Sequence, residues 1–205
     1  HSLPGETPIP SVSTDTERCD PLHPLQPIVE DDQGVVRFRG NKIVQWLFDQ
    51  GLLDLNKIAE LSYLRMENGA LMTGAMTRQR DMEFSSVIAE HCPILREALL
   101  QVGHRQTRNR GTIGGSVAND DPAADYPSAC LALGATIVTN TREIAADDFF
   151  QGIFTTALGA GEMIVKIVFP IPAKAAYEKF PHPASGFAMA GSFVSQDGKA
   201  VRVAI

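Results

Sequence analysis

The chain has 205 residues, a formal net charge of −6 at pH 7, 44% hydrophobic residues and 20% charged ones. That length allows one or two domains with a sizeable core, and the composition is ordinary for a soluble globular protein. The acidic balance argues against nucleic acid as the main partner, and no apolar run reaches the length of a membrane span. No basic stretch followed by an apolar one marks a signal peptide. The three cysteines, Cys19, Cys92 and Cys130, lie far apart without a CxxC pair. No zinc or iron–sulfur site is readable from them, and such usage fits a reducing cytoplasm. The five histidines show no metal-ligand spacing.

Residues 1–33 hold six of the thirteen prolines and no hydrophobic period. They read as an extended or disordered arm. Residues 34–52 change character. Val35–Phe38 alternates like a short strand, and Asn41 can cap a helix over Lys42–Gln50 that Gly51 stops. Trp46 reads as a core residue of that helix. Leu61–Met66 and Ala70–Gly74 flank Glu67-Asn68-Gly69, a hairpin signal. Thr77 or Asp81 then caps helical pieces. Phe84–Glu90 and Ile94–Val102 carry apolar residues at three- and four-residue spacing, with Pro93 between them.

Beyond Gly103 the chain bears a basic cluster, His104, Arg105, Arg108 and Arg110. A glycine-rich run follows at once: Gly111-Thr112-Ile113-Gly114-Gly115-Ser116. Glycine lets backbone approach a ligand closely. Free backbone N–H groups flanked by the hydroxyls of Thr112 and Ser116 would make a cradle for an anion such as a phosphate. Three carboxylates come next, Asp120, Asp121 and Asp125, and a carboxylate near such a cradle commonly binds a ribose. The competing reading is a glycine-rich surface loop, since the run is neither a P-loop nor GxGxxG. For the arginines, a solvated patch competes with a phosphate or subunit contact.

Asp125–Leu133 reads as a helix with Pro127 in its first turn and Gly134 at its end. Ala135–Thr139 and Arg142–Ala146 read as paired strands, and Glu162–Pro170 as a strand ending at proline. Ala175–Phe180, Phe187–Ser195 and Ala200–Ile205 read as strands, the last two joined by an Asp-Gly turn. The expected buried set is Val87, Ile88, Leu95, Leu99, Cys130, Leu131, Ile137 and Phe169.

The wording Arg108-Asn109-Arg110-Gly111-Thr112-Ile113-Gly114-Gly115-Ser116, followed by Asp121-Pro122-Ala123-Ala124-Asp125-Tyr126-Pro127, resembles the second flavin motif of one family. That family is the FAD-binding medium subunit of molybdenum hydroxylases, such as aerobic carbon monoxide dehydrogenase and xanthine dehydrogenase. The resemblance runs from about Leu53 to the C-terminus. It implies an α+β fold: a partial FAD-binding domain of mixed strands and helices over 53–170, then the start of an antiparallel C-terminal domain over 171–205. It implies that Thr112, Ile113, Gly114, Gly115 and Ser116 meet the FAD phosphates. Asp125 would hold the ribose, and Leu158 and Lys179 would lie by the ring. It further implies electron transfer from iron–sulfur clusters through FAD to an acceptor, with an iron–sulfur small subunit and a molybdenum large subunit as partners. No catalytic acid, base or nucleophile is implied.

The family's first flavin motif, Ala-Gly-Gly-x-Ser-Leu, has no counterpart in residues 1–60, where every glycine is isolated. FAD is therefore expected to bind weakly or to be lost. The rival expectation is a truncated or degenerate relative serving as a binding or assembly module without flavin.

Overall fold

Asn68 and Gly69 both take left-handed backbone, with φ of 53° and 77°. That geometry closes a two-residue hairpin whose twist matches its strands. In the computed structural model, which describes residues 54–205 and the backbone of 29–30 and 36–37, this hairpin starts the main sheet. The chain divides into two units, 1–54 and 55–205. In the first, β1 (Val29–Glu30) pairs antiparallel with β2 (Val36–Arg37). The arm expected over 1–33 thus contains a short strand, because its partner lies just beyond it. The expected helix over 42–50, with Trp46, lies outside the described residues.

In the second unit, β3 (Leu64–Glu67) and β4 (Ala70–Gly74) form the hairpin. Leu61, expected at its start, instead closes a 3-10 turn over Ala59–Leu61. Three helices follow: α1 (Gln79–Glu83), α2 (Ser86–His91) and α3 (Pro93–Leu100). The helix expected over 84–90 starts two residues later, because Ser85 caps α2, its hydroxyl accepting from the Ile88 N–H at 3.4 Å. Pro93 opens α3, where its missing N–H costs nothing. The basic cluster then forms α4 (Arg105–Arg110), the glycine-rich run opens α5 (Ile113–Asn119), and α6 spans Asp125–Leu133.

Strands β5 (Thr136–Thr139) and β6 (Glu143–Ala145) and helix α7 (Ala146–Phe149) come next. The small ribbon β7 (Phe150–Gly152) and β8 (Thr155–Thr156) precedes β9 (Ile164–Pro170). The main sheet has the order β3-β4-β9-β5-β6, antiparallel throughout. A second antiparallel sheet joins β10 (Lys174–Pro181), β11 (Ala188–Asp197) and β12 (Ala200–Ala204). The α+β class is as expected.

Helix α6 lies between the two sheets, touching β9 on one side and β11 and β12 on the other. The last carbonyls of a helix lack partners within it. Here Ser195 Oγ donates to the Ala132 carbonyl at 2.5 Å, and Arg202 Nε to that of Leu131 at 2.8 Å. The second sheet thereby caps the helix it packs on. Ile88, Leu95, Leu99, Cys130, Ile137 and Phe169 are fully buried, and Val87 and Leu131 are partly buried against them. Burial pushes the Cys92 thiol up to about 11 and that of Cys130 higher still, so both remain protonated and inert.

Glu162 ties the end of β5 to the loop before β9. Its Oε1 accepts from Arg142 Nε at 3.0 Å, Thr139 Oγ1 at 2.7 Å and Thr141 Oγ1 at 2.8 Å. Its Oε2 accepts from Arg142 Nη2 at 3.1 Å and the Gly159 N–H at 2.8 Å. The guanidinium of Arg142, then these N–H and hydroxyl donors, hold the carboxyl far below its usual 4.5. A carboxyl whose proton affinity drops on folding stabilises the fold above its ordinary range, and that stability fades as the pH falls further. Thermal unfolding should therefore show a steeper loss of stability below about pH 4.5 in the parent than in Glu162→Gln. Parallel pH profiles for the two chains would contradict the clamp.

Candidate functional site

Thr112 sits at the N-cap of α5, where its Oγ1 accepts from the Gly115 N–H at 3.1 Å. The helix start is stitched to the turn that follows β4. The Gly114 N–H donates to the Ala75 carbonyl at 2.9 Å and the Ile113 N–H to that of Thr77 at 3.2 Å. The Ser116 N–H donates to the Thr112 carbonyl at 3.1 Å. All four N–H groups expected to cradle an anion are thus bonded within the protein. The run is a helix start, not an open loop, because Thr112 supplies the cap and the glycines permit the close packing.

The two central glycines do different work. A Cβ on Gly114 would lie 2.6 Å from Ala75 Cβ and 2.7 Å from its carbonyl oxygen, so this glycine lets α5 touch the strand end. A Cβ on Gly115 would meet only Thr112 Oγ1, at 2.9 Å, and the residue is exposed. Ile113 and Gly114 are buried packing residues. Thr112, Gly115 and Ser116 face outward and line a cleft of about 830 Å³. That volume is within the range of small-molecule sites.

Around the cleft stand Asn119 and Asp121 from α5 and the loop after it, His104 before α4 and Arg110 at its end, and Phe187 before β11. Arg110 is exposed, and its side chain makes no hydrogen bond or ion pair among the described residues. Arg78 donates to the Arg110 carbonyl, which holds the end of α4. Arg108, expected in the basic surface cluster, is 7% exposed. Its Nε pairs with Glu83 Oε2 at 2.9 Å, and its Nη1 donates to the Val102 carbonyl at 2.9 Å. It is a buried tie between α1 and α4. Of the expected cluster, only His104, Arg105 and Arg110 reach the surface.

Asp125 and Lys179, expected at a ribose and at the flavin ring, meet each other in the cleft wall. Lys179 Nζ lies 2.9 Å from Asp125 Oδ1 and 3.0 Å from Oδ2, and donates to the Gln101 carbonyl at 2.9 Å. Tyr177 donates its phenol proton to Asp125. Burial, then this bond to the carboxylate, push the phenol far above its usual value. The Lys179 side chain is 1% exposed and the Asp125 side chain 5%. Both already have partners within the fold, and they join α6 to β10.

Tyr177 was not among the expected site residues. Its place two residues before Lys179 on one strand, hence on the same face, is the signal that could have found it. Leu158 lies after β8, half-buried against the core, and does not line the cleft. The structure thus gathers Thr112, Gly115, Ser116, Asp125 and Lys179 around one cleft and leaves Ile113, Gly114 and Leu158 outside it.

This geometry fits a dinucleotide such as FAD in part. Hydroxyls, an exposed glycine and the Arg110 guanidinium suit its phosphate end, while the N–H groups are already taken. Among the described residues no helix is long and apolar enough to cross a membrane, and no cluster of His, Cys, Asp or Glu could hold a metal.

The chain is 36% identical over 145 residues to the glyceraldehyde dehydrogenase medium chain of Sulfolobus acidocaldarius, covering 68% of this chain and 52% of that protein. It is 37% identical over 150 residues to the carbon monoxide dehydrogenase medium chain of Hydrogenophaga pseudoflava, covering 70% and 52%. A solved carbon monoxide dehydrogenase from Hydrogenophaga pseudoflava, which lacks the Mo-pyranopterin moiety of its cofactor, superposes with a TM-score of 0.69 at 35% identity, covering 74% of this chain and 57% of that one. The chain spans about half the length of the curated relatives it matches. The model of the FAD-binding domain in molybdopterin dehydrogenases matches residues 42–172, more than half of the chain, and the chain belongs to that family.

Proposed function

We propose that this chain is the flavin-binding part of a molybdenum hydroxylase medium subunit, passing electrons from iron–sulfur clusters through FAD to an acceptor. The carrying observation is the cleft lined by Gly115, a residue inside the matched region, where an added Cβ would meet only the hydroxyl of Thr112. FAD would supply the redox chemistry when bound. The chain's own residues bind and orient. Thr112 and Ser116 offer hydroxyls to phosphate, and Arg110 offers positive charge. Gly115 leaves room for the ligand's backbone-side approach. Asp125, Tyr177 and Lys179 hold the wall, with the Lys179 charge fixed at its base.

The partners in this reading are an iron–sulfur small subunit and a molybdenum large subunit, in the cytoplasm. The exposed Arg105 and Arg110 are the basic residues available to such an interface. A module without flavin is the disfavoured alternative.

Titration with FAD, followed by flavin fluorescence, tests the reading. Binding should be saturable but weak, since residues 1–60 carry no first glycine motif. Gly115→Val should weaken it at least about tenfold, because the branched side chain occupies the space of contacts worth roughly 1.5–3 kcal/mol each. Binding untouched by Gly115→Val would place the flavin elsewhere, and no binding at all would favour the module.

A further inference from the structure

Gln79, the first residue of α1, lies in the cleft wall and is 4% exposed. An antiparallel bridge between Arg78 and Thr112 holds its backbone beside the glycine-rich run. On one side of that bridge the Gln79 N–H donates to the Gly111 carbonyl at 3.0 Å, and on the other the Ile113 N–H donates to the Thr77 carbonyl at 3.2 Å. Gln79 and Gly111 are therefore neighbours across the bridge. A Cβ on Gly111 would stand 2.9 Å from Gln79 Nε2, 3.0 Å from Gln79 Cδ and 3.0 Å from the Thr107 carbonyl oxygen. The φ of Gly111 is −62°, which any residue adopts, so the glycine is explained by space. The amide of Gln79 takes part of that space.

This amide makes no hydrogen bond among the described residues. Its Oε1 is fully enclosed without a partner, which leaves Nε2 as the polar atom on the cleft side. Buried polar groups are nearly always hydrogen-bonded, and one that is not calls for an explanation. An enclosed acceptor without a partner also lowers stability, so the fold alone gives no reason for a glutamine here. The surroundings supply one. Gly111 stands between Arg110 and Thr112, and the guanidinium, the Thr112 hydroxyl and the Ser116 hydroxyl line the same cleft. An amide nitrogen is a further donor among these donors. We propose that Gln79 is a binding residue of the cleft, its Nε2 donating to an oxygen of the ligand's diphosphate. The identity of that ligand rests on the reading of the cleft as an FAD site.

Stability and binding then pull in opposite directions at this residue, as they often do where a site is built into a fold. A glutamine that held the structure together would show the same sign for both. Removing it would lower the unfolding midpoint of the ligand-free chain and weaken the ligand as a consequence. A glutamine kept for a ligand can be exchanged for an apolar side chain of the same length with no loss of stability, because no bond within the protein is broken.

The test compares the parent with Gln79→Met, which keeps the length of the side chain and removes both polar atoms. Without ligand, the urea midpoint of Gln79→Met should equal or exceed that of the parent. FAD affinity, read by flavin fluorescence, should fall about tenfold, as expected for losing one hydrogen bond to a charged group. ADP, which carries a diphosphate without the flavin ring, should lose the same factor by calorimetry. Gln79→Glu has the same shape with an anionic oxygen in place of the donor, and should weaken both ligands further, since like charges repel. A lower midpoint in Gln79→Met would make Gln79 a structural tie and overturn the assignment. Equal FAD affinity in parent and Gln79→Met would overturn it too, with the reading of the cleft left standing. A loss confined to FAD would move the contact from the diphosphate to the flavin ring. If ADP binds the parent and FAD does not, the FAD reading fails and the ADP series still decides the role of Gln79. If neither binds, both fall.

Discussion

Gly114→Ala is expected to destabilise the fold by roughly 2 kcal/mol, with little effect from the same change one residue later. The added methyl carbon would stand 2.6 Å from Ala75 Cβ, 2.7 Å from its carbonyl oxygen and 2.9 Å from its Cα. Two of these three atoms are backbone, at the end of a central strand, so no side-chain rotation relieves the contact. The same backbone accepts the Gly114 N–H at 2.9 Å, and moving α5 away stretches that bond. Overpacking of this kind costs about 1–3 kcal/mol or more, while removing glycine from a helix returns up to about 1 kcal/mol.

At Gly115 the balance differs. The only neighbour is the Thr112 hydroxyl, which can turn away. Loss of that cap costs about 1 kcal/mol, and the gain in helix propensity offsets it. Urea unfolding of both variants decides the matter, read as a shift in midpoint at constant slope. Equal losses would mean that Gly114 is not the contact point between helix and strand.

These two neighbours show where the sequence was readable and where it was not. Local signals carried far. Asn68-Gly69 required left-handed backbone and produced the hairpin, Pro93 marked the boundary of α3, and the spacing of Ile88, Leu95 and Leu99 identified the buried face. The glycine run was identifiable as special, but its physical role was hidden. A run of three glycines reads as an open loop until Ala75 and Thr77, more than thirty residues earlier, are brought against it.

Arg108 was hidden for the same reason. Its carboxylate partner Glu83 lies 25 residues away, and nothing in the local cluster of arginines singles out the one that turns inward. Leu158 was placed by resemblance alone, and the packing of its loop against the core takes it off the cleft. For Gly114 and Arg108 the missing information concerned partners distant in sequence, which is the part of a fold that local patterning does not encode.

The largest effect of all is expected at Lys179→Met. The ammonium is almost wholly enclosed, held by both oxygens of Asp125 and by the Gln101 carbonyl, and Asp125 is shared with Tyr177. Removing the lysine leaves a buried carboxylate with one phenol for company and strands a carbonyl. Breaking a buried pair from one side typically costs about 3–5 kcal/mol, because the remaining charge is uncompensated. Asp125→Asn should cost a similar amount from the other side, since the amide still accepts from Tyr177 but no longer balances the ammonium. The double variant should recover much of the loss. With both charges gone no uncompensated ion remains, and replacing a whole buried pair by neutral groups is often close to neutral.

The sign of the coupling in this cycle separates two roles for Lys179. If the lysine were there chiefly to meet a ligand, Lys179→Met would leave the unfolding midpoint of the ligand-free chain in place and lower FAD affinity alone. If it is the structural tie between α6 and β10 that its contacts describe, the single variants unfold early without any ligand present. The double variant is then more stable than their summed losses allow.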